Sequence, residues 1–174
     1  LQEKRLKTRF VYFDPASCSS TCPPSAQFGD IRLQIYHPTK SLVGATPKNA
    51  HDADLVVRAS YGKESILLAG DLGEEHEQEM LAACPPPDCS LQSDILQVPH
   101  HGSNTGLSPP FLSAVQPSVA LIPVGAGNTF GHPGTLTLQK LAEARIPVYR
   151  TDQQGQIHLV LYPDHFTVKI KKPG

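Results

Sequence analysis

Apolar and polar residues alternate at a period of two across Ile31-Arg32-Leu33-Gln34-Ile35-Tyr36, the mark of a strand that buries one face. Two β-rich runs, residues 55–60 and 65–69, flank Tyr61-Gly62-Lys63-Glu64 and predict a hairpin. The second run ends at Gly70-Asp71-Leu72-Gly73. Residues 74–83 then predict a helix with acidic residues in its first turn and Met80 and Leu81 on its buried side. Ile95-Leu96-Gln97-Val98 predicts a short strand that runs into Pro99-His100-His101-Gly102-Ser103. Ser108-Pro109-Pro110 predicts the start of a helix over 110–115, because proline suits the first helical turn. Residues 119–124 are apolar throughout, as a strand buried on both faces should be, and 136–144 are amphipathic at helical spacing. Three closing strands follow at 148–150, 156–162 and 166–170, with turns at Gln153-Gln154-Gly155 and Pro163-Asp164. Residues 1–28 carry a short apolar stretch at 10–13 and a segment dense in Pro, Ser and Cys, and are expected to be irregular; 37–52 read as a connection. Strands alternating with helices, closed by an antiparallel pair, predict an α/β (α+β) fold: a mixed sheet with helices packed on one side.

Composition changes this picture little. A chain of 174 residues, 39% hydrophobic, can form one ordinary domain or half of a larger one. Its formal charge of −1 gives no global attraction to phosphates, so any nucleic-acid contact must be local. No apolar run approaches the roughly 20 residues of a spanning helix, and the first seven residues lack a signal peptide's apolar segment. A soluble piece is expected. The absence of an initial Met suggests processing or a cut from a longer chain, and the charges of the opening run read as a solvated or frayed end. Cysteines fall in two close pairs, Cys18 with Cys22 and Cys84 with Cys89. Local disulfides, a four-thiolate zinc site and free thiols all remain open on spacing alone.

Three polar clusters stand at the carboxyl ends of apolar strands, where open α/β sheets build their sites: Gly70-Asp71, His100-His101-Gly102-Ser103 and Asn128-Thr129-Phe130-Gly131-His132-Pro133. Singly, each has a structural explanation. Asp71 could cap the helix at Glu74, one histidine could bond to backbone in a turn, and His132 could stiffen a loop. Together they offer a carboxylate and imidazoles, the ligands that hold zinc or manganese, with glycines that let the backbone come close to an ion or phosphate.

The series Gly70-Asp71, Asp94-Ile95-Leu96-Gln97-Val98-Pro99-His100-His101-Gly102-Ser103, Gly125 with Asn128, Gly131-His132-Pro133 and Tyr149-Arg150-Thr151-Asp152 resembles the metallo-β-lactamase-like domain of ComEC-type DNA-uptake competence proteins. The resemblance covers residues 29–162. It implies that residues 1–174 are the C-terminal part of one αββα sandwich domain, with 29–174 as its core. Asp71 would bridge two metal ions and His101 would complete the second ion's shell. His100 would face the substrate, Ser103 would offer a hydroxyl to phosphate, and Asn128 and His132 would belong to a loop closing over the substrate. Two departures stand out. The superfamily's His-x-His-x-Asp-His cluster is absent, for no two of the eight histidines are separated by one residue; the resemblance places it N-terminal to everything here. Asp52 and Asp54 also replace the neutral Asn and Ser that the family tends to carry before the strand at Leu55, where they would repel phosphate.

The function so implied is that of a metal-dependent hydrolase, a DNA phosphodiesterase (nuclease) acting in natural transformation. Two divalent cations, Zn or Mn, would be held by the intact domain, and this chain alone would be weak or inactive for want of ligands. The implied partners are single- or double-stranded DNA, the N-terminal half of the domain and a membrane channel domain, on the extracytoplasmic face of the membrane. Two alternatives compete: a non-catalytic module that guides DNA, and a metallo-hydrolase of a lactone or thioester.

Overall fold

A computed structural model of the chain describes residues 23–42, 44, 46–87 and 89–171. The apolar stretch at 10–13, the charged opening run and the Cys18/Cys22 pair lie outside the described residues.

Seven strands form one sheet in strict chain order: β1 (Ser25–Phe28), β2 (Ile31–His37), β3 (Val56–Tyr61), β4 (Glu64–Leu68), β5 (Ile95–Gln97), β6 (Val119–Ile122) and β7 (Val148–Arg150). The first four run antiparallel, and β4 to β7 run parallel. Parallel neighbours require crossovers, which α1 (Glu74–Ala83), α2 (Pro109–Val115) and α3 (Thr135–Glu143) supply. The helices pack on one side of the sheet, as the alternation of strands and helices predicts. One core fills that interface: Val56, Leu67, Leu96, Ala120 and Ile122 from the strands meet Met80, Phe111, Val115 and Leu141 from the helices.

The structure corrects the expected irregular segment at its end. Residues Ser25–Phe28 pair with β2 across Gly29-Asp30, and Gly29 takes the left-handed φ of 58° that so short a turn requires. All four side chains of β1 are exposed, so backbone pairing alone makes the strand and no hydrophobic period announces it. The last closing strands, β8 (Gln156–Leu161) and β9 (Phe166–Lys171), leave the main sheet and form a separate antiparallel pair. In its register Ile157, Leu159 and Leu161 lie opposite Ile170, Val168 and Phe166 and share one face. Leu159 and Leu161 line a cleft with Ile31, Tyr61 and Ile66, so this hairpin stands over the helix-free face of the sheet. Its tip is fixed where the Lys63 amide donates to the Pro163 carbonyl at 2.7 Å. Ile31 and Leu68 nevertheless remain 46% and 41% exposed on that face, so the two-stranded layer covers it only in part. The predicted turn at 153–155 begins as a single helical turn, α4 (Thr151–Gln154). No helix among the described residues is long and apolar enough to cross a membrane. Cys84 and Cys89 form a disulfide, which closes the loop after α1.

Candidate metal centre

The three polar clusters meet at one edge because β4, β5 and β6 are parallel neighbours, so their carboxyl ends coincide. Asp71 follows β4. It does not cap α1, whose N-cap is Gly73 without a side-chain bond. Gln97 ties the ends of β4 and β5 together: its side chain accepts from the Gly70 amide at 3.2 Å and donates to the Val98 carbonyl at 2.9 Å. Pro99–Gly102 then forms a tight turn in which His100 and His101 both adopt left-handed backbone, with φ of 49° and 53°. Non-glycine residues seldom accept this conformation, and here it turns two adjacent imidazoles toward the strand ends. Gly102 permits the turn to lie against the neighbouring loop. A Cβ there would stand 2.7 Å from the Cβ of Pro133, and the Gly134 amide donates to the Gly102 carbonyl at 2.8 Å.

His101 Nε2 stands 3.6 Å from Asp71 Oδ1, with both side chains about half exposed. Its other ring nitrogen, Nδ1, lies 2.7 Å from the Pro123 carbonyl. A carbonyl only accepts, so Nδ1 carries a proton, and Nε2 is the ring nitrogen turned toward Asp71 and open to a cation. A backbone carbonyl fixing one imidazole nitrogen is the support that metal-binding histidines use. Two ligands at ~2.0–2.1 Å from one tetrahedral ion lie roughly 3.3 Å apart, so the observed separation suits a shared cation with little adjustment. Asp71 and His101 therefore fit a divalent ion. Among the described residues no group of three or more His, Cys, Asp or Glu gathers with metal-site geometry, so those residues offer a pair of ligands and not a closed shell.

His100 sits beside the pair, its ring 5.7 Å from that of His132 and 5.1 Å from that of His51. Burial lowers the His100 pKa; the Asp71 carboxylate opposes this, and His51, His132 and His101 reinforce it. His132 is presented by Asn128, whose Oδ1 accepts from the His132 amide at 3.0 Å and whose Nδ2 donates to the His132 carbonyl at 2.8 Å. Asn128 thus folds the loop and aims His132, a different task from touching substrate. With Pro123, Val124 and Phe130, the residues His101, Asn128 and His132 line an open cleft of about 460 Å³. Ser103 is not brought there. Its hydroxyl is buried against Thr105 Oγ1 at 3.0 Å and its carbonyl accepts from Thr137, so the hydroxyl expected to meet phosphate is committed to the turn.

His51 belongs to the site and has no counterpart among the sequence candidates. The helical turn Ala50–Ala53 is capped by Asn49, and the Asp52 carboxylate accepts from the Lys48 and Asn49 amides at 2.6 and 3.1 Å. Asp52 Oδ1 also meets His76 Nε2 on α1 at 3.0 Å, and Asp54 Oδ2 meets His51 Nδ1 at 3.0 Å. Asp52 and Asp54, expected to repel phosphate, are instead engaged in holding this loop and orienting His51. The readable signal was a carboxylate three residues from a histidine within a turn.

His37 is wholly buried under the same loop, its Nδ1 2.6 Å from the Asp54 carbonyl, and burial lowers its pKa. As pH falls below the ordinary imidazole value of about 6.5, the unfolded chain takes up a proton that the folded one resists, and stability drops by at most ~1.4 kcal/mol per pH unit from this group. Urea unfolding between pH 7.5 and 5 should show that loss, and His37→Gln should make the slope shallower. Equal slopes would show that His37 does not contribute.

No family model matches the chain. It is 34% identical over 131 residues to ComE operon protein 3 of Bacillus subtilis, covering 75% of this chain and 16% of that protein. Recombination protein 2 of Haemophilus influenzae is 30% identical over 139 residues, 80% of this chain and 16% of the relative. Competence protein ComA of Neisseria gonorrhoeae is 32% identical over 106 residues, 61% of this chain and 15% of the relative. The chain thus spans about a sixth of the length of the curated relatives it matches. These relatives, 30–34% identical, indicate a competence-related family.

Proposed function

We propose that this chain supplies part of a divalent-metal phosphodiesterase site that acts on DNA during DNA uptake in natural transformation. The observation that carries the reading is the Asp71–His101 pair: two ligand atoms 3.6 Å apart at the ends of adjacent parallel strands, with the histidine held in the metal-binding tautomer by a backbone carbonyl. Competence-related relatives supply the biological setting. Divalent cations in such a site activate water and offset charge that develops on the phosphate. The chain's own residues do the rest. Asp71 and His101 supply ligand atoms, Pro123 keeps His101 in register, and Asn128 aims His132 toward the cleft. His51, His100 and His132 line the approach with imidazoles that can donate hydrogen bonds to phosphate oxygens.

The remaining ligands must come from beyond the described residues, and the αββα reading gives them a place. The helix-free face of the sheet carries exposed Ile31 and Leu68 beneath a layer of only two strands, which suits a larger second sheet in the intact protein. One observation favours the competing non-catalytic DNA-guiding role: no third ligand joins Asp71 and His101 among the described residues. The experiment is to give the longest natural form of the chain, with Zn or Mn, a DNA oligonucleotide and a lactone. Metal-dependent cleavage of DNA is expected. Hydrolysis of the lactone alone would assign another ester as substrate, and cleavage of neither would leave the guiding role as the better account.

A further inference from the structure

A second cleft, of about 570 Å³, opens at the other end of the same strands. Its walls include Arg32 from β2, Arg58 from β3, Lys63 from the turn after β3, and Asp94 just before β5. Ser65 lies near the start of β4 and Asp71 just beyond its end, six residues apart, which at the rise of a strand separates the cleft from the Asp71–His101 pair by up to about 20 Å. The register Arg32↔Ser60 and Gln34↔Arg58 makes the two arginines diagonal neighbours on adjacent strands, ~7–8 Å apart. Arg58 is held in place: its Nε donates to the Gln92 carbonyl at 2.8 Å and its Nη1 to Gln34 Oε1 at 3.1 Å, which leaves Nη2 for a ligand. Among the described residues, none of the three cations has a carboxylate partner. Asp94 keeps its negative charge in the lining, with its Oδ2 turned to the amide and hydroxyl of Ser65 at 2.8 and 2.7 Å, so three cations face one carboxylate and the cleft stays net positive. Burial raises the pKa of Tyr36, and the charges of Arg58 and Arg32 pull it back down.

We propose that this cleft binds the phosphodiester backbone of a single DNA strand, at a site distinct from Asp71 and His101. The proposal rests on the DNA part of the function given above. Cations spread over two strands and a turn suit successive phosphates better than a single point charge, and a preorganised guanidinium loses little entropy on binding one. Three cations gathered in one cleft match the backbone of one strand. Tyr36 is buried and bonded through its hydroxyl to the Ser90 carbonyl, so among the described residues the cleft has no aromatic platform on which bases could stack. Binding should therefore ignore base sequence and depend steeply on salt.

The test is fluorescence anisotropy with single strands of ~12 nucleotides in EDTA, across 50–200 mM salt. Three phosphate contacts at ~0.7 each predict a log–log slope near −2, or about a twentyfold loss of affinity over that range. R32Q and K63Q should each reduce the slope by ~0.7, and together should leave only about a threefold loss. Neither side chain makes a bond within the described fold, so both variants should fold, with an unchanged melting curve as the check. K140Q, at a lysine outside both sites, should bind like the parent. Unchanged slopes in the R32Q/K63Q double variant, or duplex bound as tightly as single strand, would overturn the proposal. Asp71-dependent DNA cleavage with no strand binding at the cleft would sink this site alone; strand binding without cleavage would sink the catalytic reading alone.

Discussion

Replacing Asp71 with Ala should abolish metal-dependent DNA hydrolysis in the longest natural form of the protein, by at least the ~10²–10³-fold that losing one stabiliser of transition-state charge costs. A carboxylate between cations offsets their repulsion and fixes their spacing, and a methyl group does neither. The fold should survive. Asp71 follows β4, caps no helix and is about half exposed, with His101 Nε2 3.6 Å away. His101→Ala should lose metal and activity together. His132→Ala should raise KM with metal content little changed, because His132 lines the cleft with His101, is aimed by Asn128 and forms no ion pair with Asp71. Metal analysis beside each rate separates these outcomes from damage to folding. An Asp71 variant that holds its metal and cuts DNA like the parent would remove the site from the account.

The largest effect on stability should come from Glu77→Ala. Glu77 is fully buried on α1, and its two carboxylate oxygens accept from the Leu107 and Ser108 amides at 2.6 and 2.7 Å, just ahead of α2. Burial raises its pKa, and these hydrogen bonds work against that rise. Removing the carboxylate strands two buried amides at the start of α2, a loss of about 3 kcal/mol, which for a domain of this size lowers Tm by roughly 6–12 °C. Glu77→Gln keeps one acceptor and should lose less. Thermal unfolding followed by circular dichroism decides it, and a melting point within a degree of the parent would show that water replaces the carboxylate.

Glu77 also shows where reading the sequence stops. It stands among four glutamates between positions 74 and 79 and looks like a solvated first turn, yet the chain returns at 107–108 with amides that need an acceptor. The order of strands and helices was legible because burial on one or both faces imposes periods of two and 3.6. The convergence of Asp71, His100, His101 and His132 followed from parallel pairing, since the ends of neighbouring parallel strands must coincide. Features held by backbone or by long-range pairing left no such trace. β1 exposes all its side chains, the β8–β9 pair leaves the main sheet although its pattern suits either place, and His51 reaches His100 through a capped turn in an aperiodic connection. Ser103 failed in the opposite direction: its position in His-His-Gly-Ser suggests a substrate hydroxyl, but a seryl side chain in a tight turn is as readily spent on the turn itself.

The most direct test of the central claim is an NMR titration of the histidine side chains with Zn²⁺, using the 174-residue chain and its Asp71→Ala variant. Before metal is added, His101 should show the tautomer protonated on Nδ1, as its contact with the Pro123 carbonyl requires. On addition of Zn²⁺, His101 Nε2 should be the first imidazole nitrogen to shift, with weak affinity because two ligands leave most of the shell to water. In the Asp71→Ala variant the same shift should need at least tenfold more metal. A His101 that stays unmoved while other histidines respond, or that titrates identically with and without the Asp71 carboxylate, would contradict the assignment of this pair as metal ligands.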